Sequence, residues 1–147
     1  KAKTFADAAQ RALSMAFAAR RVQKRYVAVV AGQLDGAGDI DLPLIPDWPN
    51  RPKSRVDSEL GKPSLTRWRT LAHAGDTTRV ELEPVTGRSH QLRLHLASIG
   101  HPILGDELSA PPAWRDAAPR LLLHATRLVL SHPASGARIV AESVPPF

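Results

Sequence analysis

The chain has 147 residues, 43% of them hydrophobic, with a formal net charge of +6 and no cysteine. That is one domain or a large part of one, with enough apolar content for a packed core. No stretch approaches the roughly 20 apolar residues that span a bilayer, no secretory leader pattern is present, and disulfides and thiolate metal sites are excluded; a cytoplasmic protein off the membrane is the default.

The cations are clustered. Residues 1–25 hold Lys1, Lys3, Arg11, Arg20, Arg21, Lys24 and Arg25 against Asp7 alone, and residues 51–69 hold Arg51, Lys53, Arg55, Lys62, Arg67 and Arg69 against Asp57 and Glu59. Between them lies an acidic stretch with Asp35, Asp39, Asp41 and Asp47. Clustered positive charge points to a polyanion partner, the alternative being an ordinary arginine-rich surface.

In chain order, Thr4 can cap a helix whose Phe5, Ala8, Ala12 and Ala16 recur at helical spacing, with Arg20 and Arg21 at its C-terminal end. Lys24 to Gly32 reads as a strand built on Tyr26-Val27-Ala28-Val29-Val30. Tyr26 is the only tyrosine, and on the residues alone it is a core aromatic whose hydroxyl finds a partner. Gly36 and Gly38 make a turn, and Asp39 to Leu44 reads as a short strand. The loop from Pro46 to Arg55 mixes prolines, Trp48 and the cations Arg51, Lys53 and Arg55, which suits phosphate and base contacts as well as it suits a rigid surface loop. A hairpin follows, with strands from Ser64 to His73 and Thr78 to Glu83, a turn at Ala74-Gly75-Asp76-Thr77, and Val80 and Leu82 facing inward.

The chain is organised around Val85 to Leu96 and its continuation to Asp106. Ser89 is a candidate N-cap. Leu92, Leu96 and Ile99 form one apolar helical face, Gly100 stands where a left-handed C-terminal residue is wanted, and Pro102 prevents the helix from resuming. Arg88 and Arg93 both lie in this short element, at a helix end that already favours anions. Pro111 to Pro119 is a linker with at most one helical turn. Leu121 to Leu130 reads as a buried strand, and Arg138 to Ser143 as the last one. His90 and His95 are five residues apart and do not share a helix face as metal-binding pairs at i, i+4 do. His101 and His124 read as structural, and no phosphate-cradling glycine loop or nucleophile elbow is present.

The run Thr86-Gly87-Arg88-Ser89-His90-Gln91-Leu92-Arg93, followed by Gly100-His101-Pro102-Ile103-Leu104-Gly105-Asp106, resembles the signature of the RluA family of pseudouridine synthases. The segment Lys24 to Gly32 is similar to that family's tyrosine motif. Asp47-Trp48-Pro49-Asn50-Arg51-Pro52-Lys53 resembles a loop of the RluA branch that acts on transfer RNA and large-subunit ribosomal RNA. The resemblance covers essentially the whole chain. It implies a mixed α+β fold around a curved, largely antiparallel sheet with flanking helices and an RNA cleft across it. It also implies a cofactor-free, metal-free isomerisation of uridine to pseudouridine, with RNA as partner and a monomeric complete protein. Tyr26 would stack on the flipped uracil and is a candidate to take its C5 proton. Arg93 would pair with the nucleophilic aspartate, and Leu92 would pack near the base. Arg88, His90, Gln91, Arg51, Lys53 and Arg55 are candidates for RNA contact, although His90 and Gln91 serve equally to brace the loop.

The family's Arg-Leu-Asp motif, which carries the nucleophile, is not present. None of the nine aspartates has its context, neither Asp7 nor Asp106 included. Residues 1–147 are therefore expected to be the C-terminal part of a single catalytic domain, incomplete at its N-terminus and inactive alone. The other readings are a non-catalytic RNA-binding module derived from the same fold and an unrelated basic domain that binds DNA or the ribosome.

Overall fold

The computed structural model describes residues 23–50, 53–131 and 135–147. The helix expected from Thr4 onward lies outside these residues, as does Arg51. Along the chain come β1 (Gln23–Ala31), β2 (Ala37–Asp41), β3 (Leu44–Pro46), β4 (Ser54–Val56), β5 (Leu65–Ala74), β6 (Thr77–Pro84), helix α1 (Gln91–Ser98), the four-residue helix α2 (Pro112–Arg115), β7 (Leu123–Ser131) and β8 (Arg138–Glu142). Six strands form one sheet in the order β2-β5-β6-β1-β7-β8, antiparallel at every described pairing. β3 and β4 form a separate ribbon. The expected α+β class with a largely antiparallel sheet is what the chain forms.

The period-two alternation of β6 divides the sheet into two unlike faces. Val80 and Leu82 are fully buried. The register places Tyr26 beside Leu82 and Ala28 beside Val80, with Trp68 on the far side of Leu82. Leu92 and Leu96 of α1 join that face in one apolar cluster. Full burial of a leucine such as Leu96 is worth about 1.5–3 kcal/mol. Gly100, at φ +86, ends the helix in the left-handed conformation expected of it. On the other face, Arg67 stands opposite Glu83 and Arg69 opposite Glu81.

Two expectations need correction. The strand read as Asp39 to Leu44 is two strands, because β2 ends at Asp41 and β3 begins at Leu44. Pro43, with no N–H to give a ladder, lies in the break, and Leu44 turns to β4 and to Lys62 instead. The strand read as buried from Leu121 to Leu130 starts at Leu123, and among its described side chains only Leu130 is buried. Helix α1 lies over β5 and β6, and β7 joins the apolar cluster through Leu123 at its start.

Candidate active-site cleft

The loop between β6 and α1 is held from below by a buried polar chain. His95 is fully buried, and burial pushes its imidazole below the ordinary histidine range. Its Nε2 lies 2.9 Å from the Leu42 carbonyl, which can only accept, so the neutral ring donates there. Nδ1 then accepts from Thr66 Oγ1 at 2.8 Å. Thr66 Oγ1 accepts in turn from Gln91 Nε2 at 3.0 Å, and the same amide donates to the Leu65 carbonyl at 2.8 Å. Gln91 Oε1 accepts from Thr86 Oγ1 at 2.6 Å and from the Arg88 N–H at 3.1 Å. Thr86 Oγ1 closes the chain by accepting from the Leu65 N–H.

This network corrects two expectations. Ser89 is not the N-cap; α1 begins one residue later, behind His90 in the left-handed region (φ 54, ψ 25), with no side-chain cap. Gln91, in the first turn, reaches back to the Arg88 N–H, which lies before the helix. Gln91, named above as a candidate for RNA contact, is buried, and its amide has spent two acceptor and two donor positions inside the protein. It braces the loop.

Above the network a cleft of about 330 Å³ opens, lined by Tyr26, Leu92, Arg93, Arg88, His90 and Lys24, with Leu121 and Leu123 as apolar wall. Tyr26 and Lys24 reach it as alternate residues of β1. Burial raises the Tyr26 phenol and lowers the Lys24 ammonium from their usual ranges. Arg88 donates from Nε and Nη2 to the Pro63 carbonyl at 3.2 and 3.0 Å, so it clamps the loop to the start of β5 from the rim. Arg93 donates from Nε at 2.8 Å and Nη2 at 2.5 Å to Oδ1 of Asp106. Asp106 is itself fully buried behind the cleft wall and outside its lining. Among the described residues no carboxylate lines this cleft.

Larger hollows lie elsewhere. One of about 530 Å³ on the opposite face is lined by Arg25, Arg67, Arg69, Asp39, Glu81 and Glu83. There Arg25 pairs with Glu83, Arg69 with Glu81 at 2.8 Å and Arg67 with Asp39 at 3.8 Å. Another, of about 810 Å³, lies beside α2 and shares Arg93 with the cleft.

The structure thus brings Tyr26, Leu92, Arg93, Arg88 and His90 together and leaves the basic loop apart. Lys53 and Arg55 are exposed at the β3–β4 ribbon. Arg55 pairs with Asp57 at 3.2 Å and with Asp47 at 3.6 Å, so its charge is largely answered within the ribbon. The ribbon is tied to the cleft loop through Ser54 Oγ, which donates to the Ser89 carbonyl at 3.2 Å. Two residues escaped the sequence reading. Lys24 was legible, since alternate strand residues share a face and it stands two before Tyr26. Asp106 was quoted in the motif, but nothing local marks it as the partner of Arg93. Among the described residues no group of three or more His, Asp or Glu is placed to hold a metal ion, and no described helix is long and apolar enough to cross a membrane.

Comparison with known proteins gives a consistent result. The sequence profile of a family described as RNA pseudouridylate synthase matches residues 4–98. The dual-specificity RNA pseudouridine synthase RluA of Escherichia coli K12 is 54% identical over 131 residues, which is 88% of this chain and 60% of that protein. The protein of the same name from Pasteurella multocida is 47% identical over 141 residues, covering 95% and 64%. Among solved structures, human RNA pseudouridylate synthase domain containing 1 superposes with a TM-score of 0.79 at 31% identity, covering 93% of this chain and 60% of the other. The chain spans about 60% of the length of the curated relatives it matches.

Proposed function

Because the chain belongs to the RNA pseudouridylate synthase family, we propose that the protein it represents isomerises uridine to pseudouridine in structured RNA, and that this chain supplies the base-holding wall of the site. The observation that carries the reading is the cleft in which Tyr26, Leu92 and Arg93 converge, with no carboxylate in its lining among the described residues. A uridine must leave its stack to be reached. The Tyr26 ring and the Leu92 side chain offer it a stacking face and an aliphatic wall while the detached base turns. Arg93 favours the ionised form of an attacking carboxylate. Lys24 and Arg88 add positive charge along the approach for phosphates. The raised pKa of Tyr26 means that a protonated phenol faces the base, which favours stacking over removal of the C5 proton.

The nucleophile belongs to sequence outside these 147 residues, in an Arg-Leu-Asp setting. The substrates are transfer RNA and 23S ribosomal RNA. This is supported by the 47–53 loop and by relatives named as dual-specificity enzymes. The complete protein acts as a cytoplasmic monomer without a cofactor; Lys53 contributes phosphate contacts outside the cleft, and Arg51 is a further candidate for phosphate contact.

The test is to score pseudouridine formation in a transfer RNA anticodon stem-loop by the 147-residue chain, the complete protein, and its variant with the upstream aspartate changed to alanine. Only the complete protein is expected to turn over. Turnover by the chain alone would make one of its own aspartates the nucleophile. Binding without turnover by the complete protein would leave an RNA-binding module that has lost the chemistry.

A further inference from the structure

We propose that Asp106 is the positioning residue for Arg93, a buried carboxylate that grips one edge of the guanidinium and turns the other toward the cleft. The inference rests on the reading of Arg93 as the group that steadies the attacking carboxylate.

The pair is asymmetric. The Asp106 side chain is 0% exposed and that of Arg93 18%, so the aspartate is the anchor and the arginine the part that reaches out. Main chain sets the anchor independently of its partner. Asp106 Oδ1 accepts from the Leu108 and Ser109 N–H groups at 3.0 and 3.2 Å, which closes a tight turn around the carboxylate. Both Arg93 donors converge on that same oxygen. Nε and one Nη2 hydrogen are thereby committed, and the remaining N–H groups of the fork point away from Asp106.

The turn itself is locked to the strand that carries Tyr26. Gly105 stands at φ +77, and a Cβ there would fall 1.9 Å from the Arg120 carbonyl oxygen, so the position admits only glycine. Leu104 N–H donates to the Val29 carbonyl at 3.0 Å, and Ile103 bridges to Val30. Arg93 is therefore aimed by a carboxylate whose frame is β1, and the guanidinium and the Tyr26 ring are registered against one backbone.

Stability alone gives little reason for this arrangement. Asp106 Oδ2 is buried with no hydrogen-bond partner among the described residues. A carboxylate left half-satisfied in the interior is a poor substitute for an apolar side chain. Its presence makes sense if its task is to direct Arg93.

The experiment uses the complete protein, with pseudouridine formation measured at saturating and limiting RNA for wild type, Arg93→Lys, Asp106→Asn and the double variant, each checked for folding by circular dichroism. Asp106→Asn is expected to lower kcat by about 10- to 100-fold, as loss of alignment does, with KM within about twofold of wild type. Added to Arg93→Lys, which keeps the charge but loses the fork, it should cost nothing further. A normal kcat for Asp106→Asn beside a collapsed Arg93→Lys would overturn the positioning role and leave the reading of Arg93 standing. An active Arg93→Lys would undo that reading first. Equal losses from Asp106→Asn in both backgrounds would make Asp106 merely structural. Should Asp106→Asn fail to fold, the Arg93 Nε–H resonance of the wild-type protein decides: slow solvent exchange is expected, and fast exchange sinks the proposal.

Discussion

On the open face of the sheet, Arg25, Arg67 and Arg69 each meet a carboxylate of a neighbouring strand, and Arg79 is held by the C-terminal residue, donating to the Phe147 carbonyl at 2.8 Å and lying 5.4 Å over its ring. On the cleft face, Lys24, Arg88 and Arg93 gather around Tyr26, and the acid that answers Arg93 is set behind the wall. Both faces are rich in cations, so charge counting along the chain cannot separate them. What separates them is whether the register places an acid directly opposite. A ladder of exposed pairs neutralises itself and contributes little, about 0–1 kcal/mol per pair. On the cleft face no such ladder of exposed pairs forms among the described residues, and the positive charge of Lys24, Arg88 and Arg93 borders the cleft.

The comparison can be broken most sharply by paired substitutions in the complete protein. Arg93→Ala is expected to lower kcat by about 100- to 1,000-fold, the usual cost of losing one preorganised charged donor. Arg69→Ala on the open face should leave kcat within about twofold of wild type. Comparable losses from the two would mean that the open face is the working one.

The same contrast extends to stability. Gln91→Leu strips partners from Thr66, Thr86 and two backbone groups at once. It should cost about 2–4 kcal/mol by urea unfolding, against about 1 kcal/mol or less for Arg69→Ala. If Gln91→Leu is neutral, the buried chain is not what holds the loop.

Titration of His95 gives a finer test of that chain. Burial lowers its pKa below the ordinary histidine value of 6.5, so on acidification the unfolded state binds a proton that the folded state refuses. The stability contribution is complete above 6.5. It declines as pH falls below that value toward the lowered folded one, with a slope of up to about 1.4 kcal/mol per pH unit. Urea midpoints for wild type and His95→Gln should converge as the medium is acidified through this window. Parallel profiles would mean that folded and unfolded states take up the proton alike and that burial does not shift the ring.

The smallest effect concerns the ribbon. Lys53→Gln should flatten the salt dependence of RNA binding by about one unit of slope, and Arg55→Gln by clearly less, because Arg55 already faces Asp47 and Asp57. A larger change at Arg55 would show that RNA displaces those carboxylates.

Much of this was legible in the sequence, for identifiable reasons. The β5–β6 hairpin follows from alternation and a glycine turn, both local signals. Leu92 and Leu96 on one helix face follow from spacing, and the meeting of Tyr26 with Arg93 follows only from resemblance to a family. What escaped depends on partners distant along the chain. Ser89 has the composition of a cap, but His90 holds that position, while Gln91 is drawn inward by Thr66 and Leu65 from another strand. The inward turn of Gln91 is set by Leu65 and Thr66, and the neutral state of His95 by burial, which outweighs the Leu42 carbonyl; no side-chain pattern reveals either. The partial exposure of β7 depends on what packs over it, which no property of Leu121 to Leu130 encodes.

The central place of β1 has a consequence for how the protein comes into being. Tyr26 is hydrogen-bonded into the sheet between Leu82 on one flank and Ala125 on the other, yet it is synthesised before either. A ribosome must therefore release nearly the whole of this chain before the cleft can close around its ring. Until then β1, with its run of valines, is a sticky strand with both edges open. Such sequence-distant pairing folds slowly. Substitutions that lengthen the wait for β7, at the Gly105 turn for example, should show first as loss of soluble protein during synthesis.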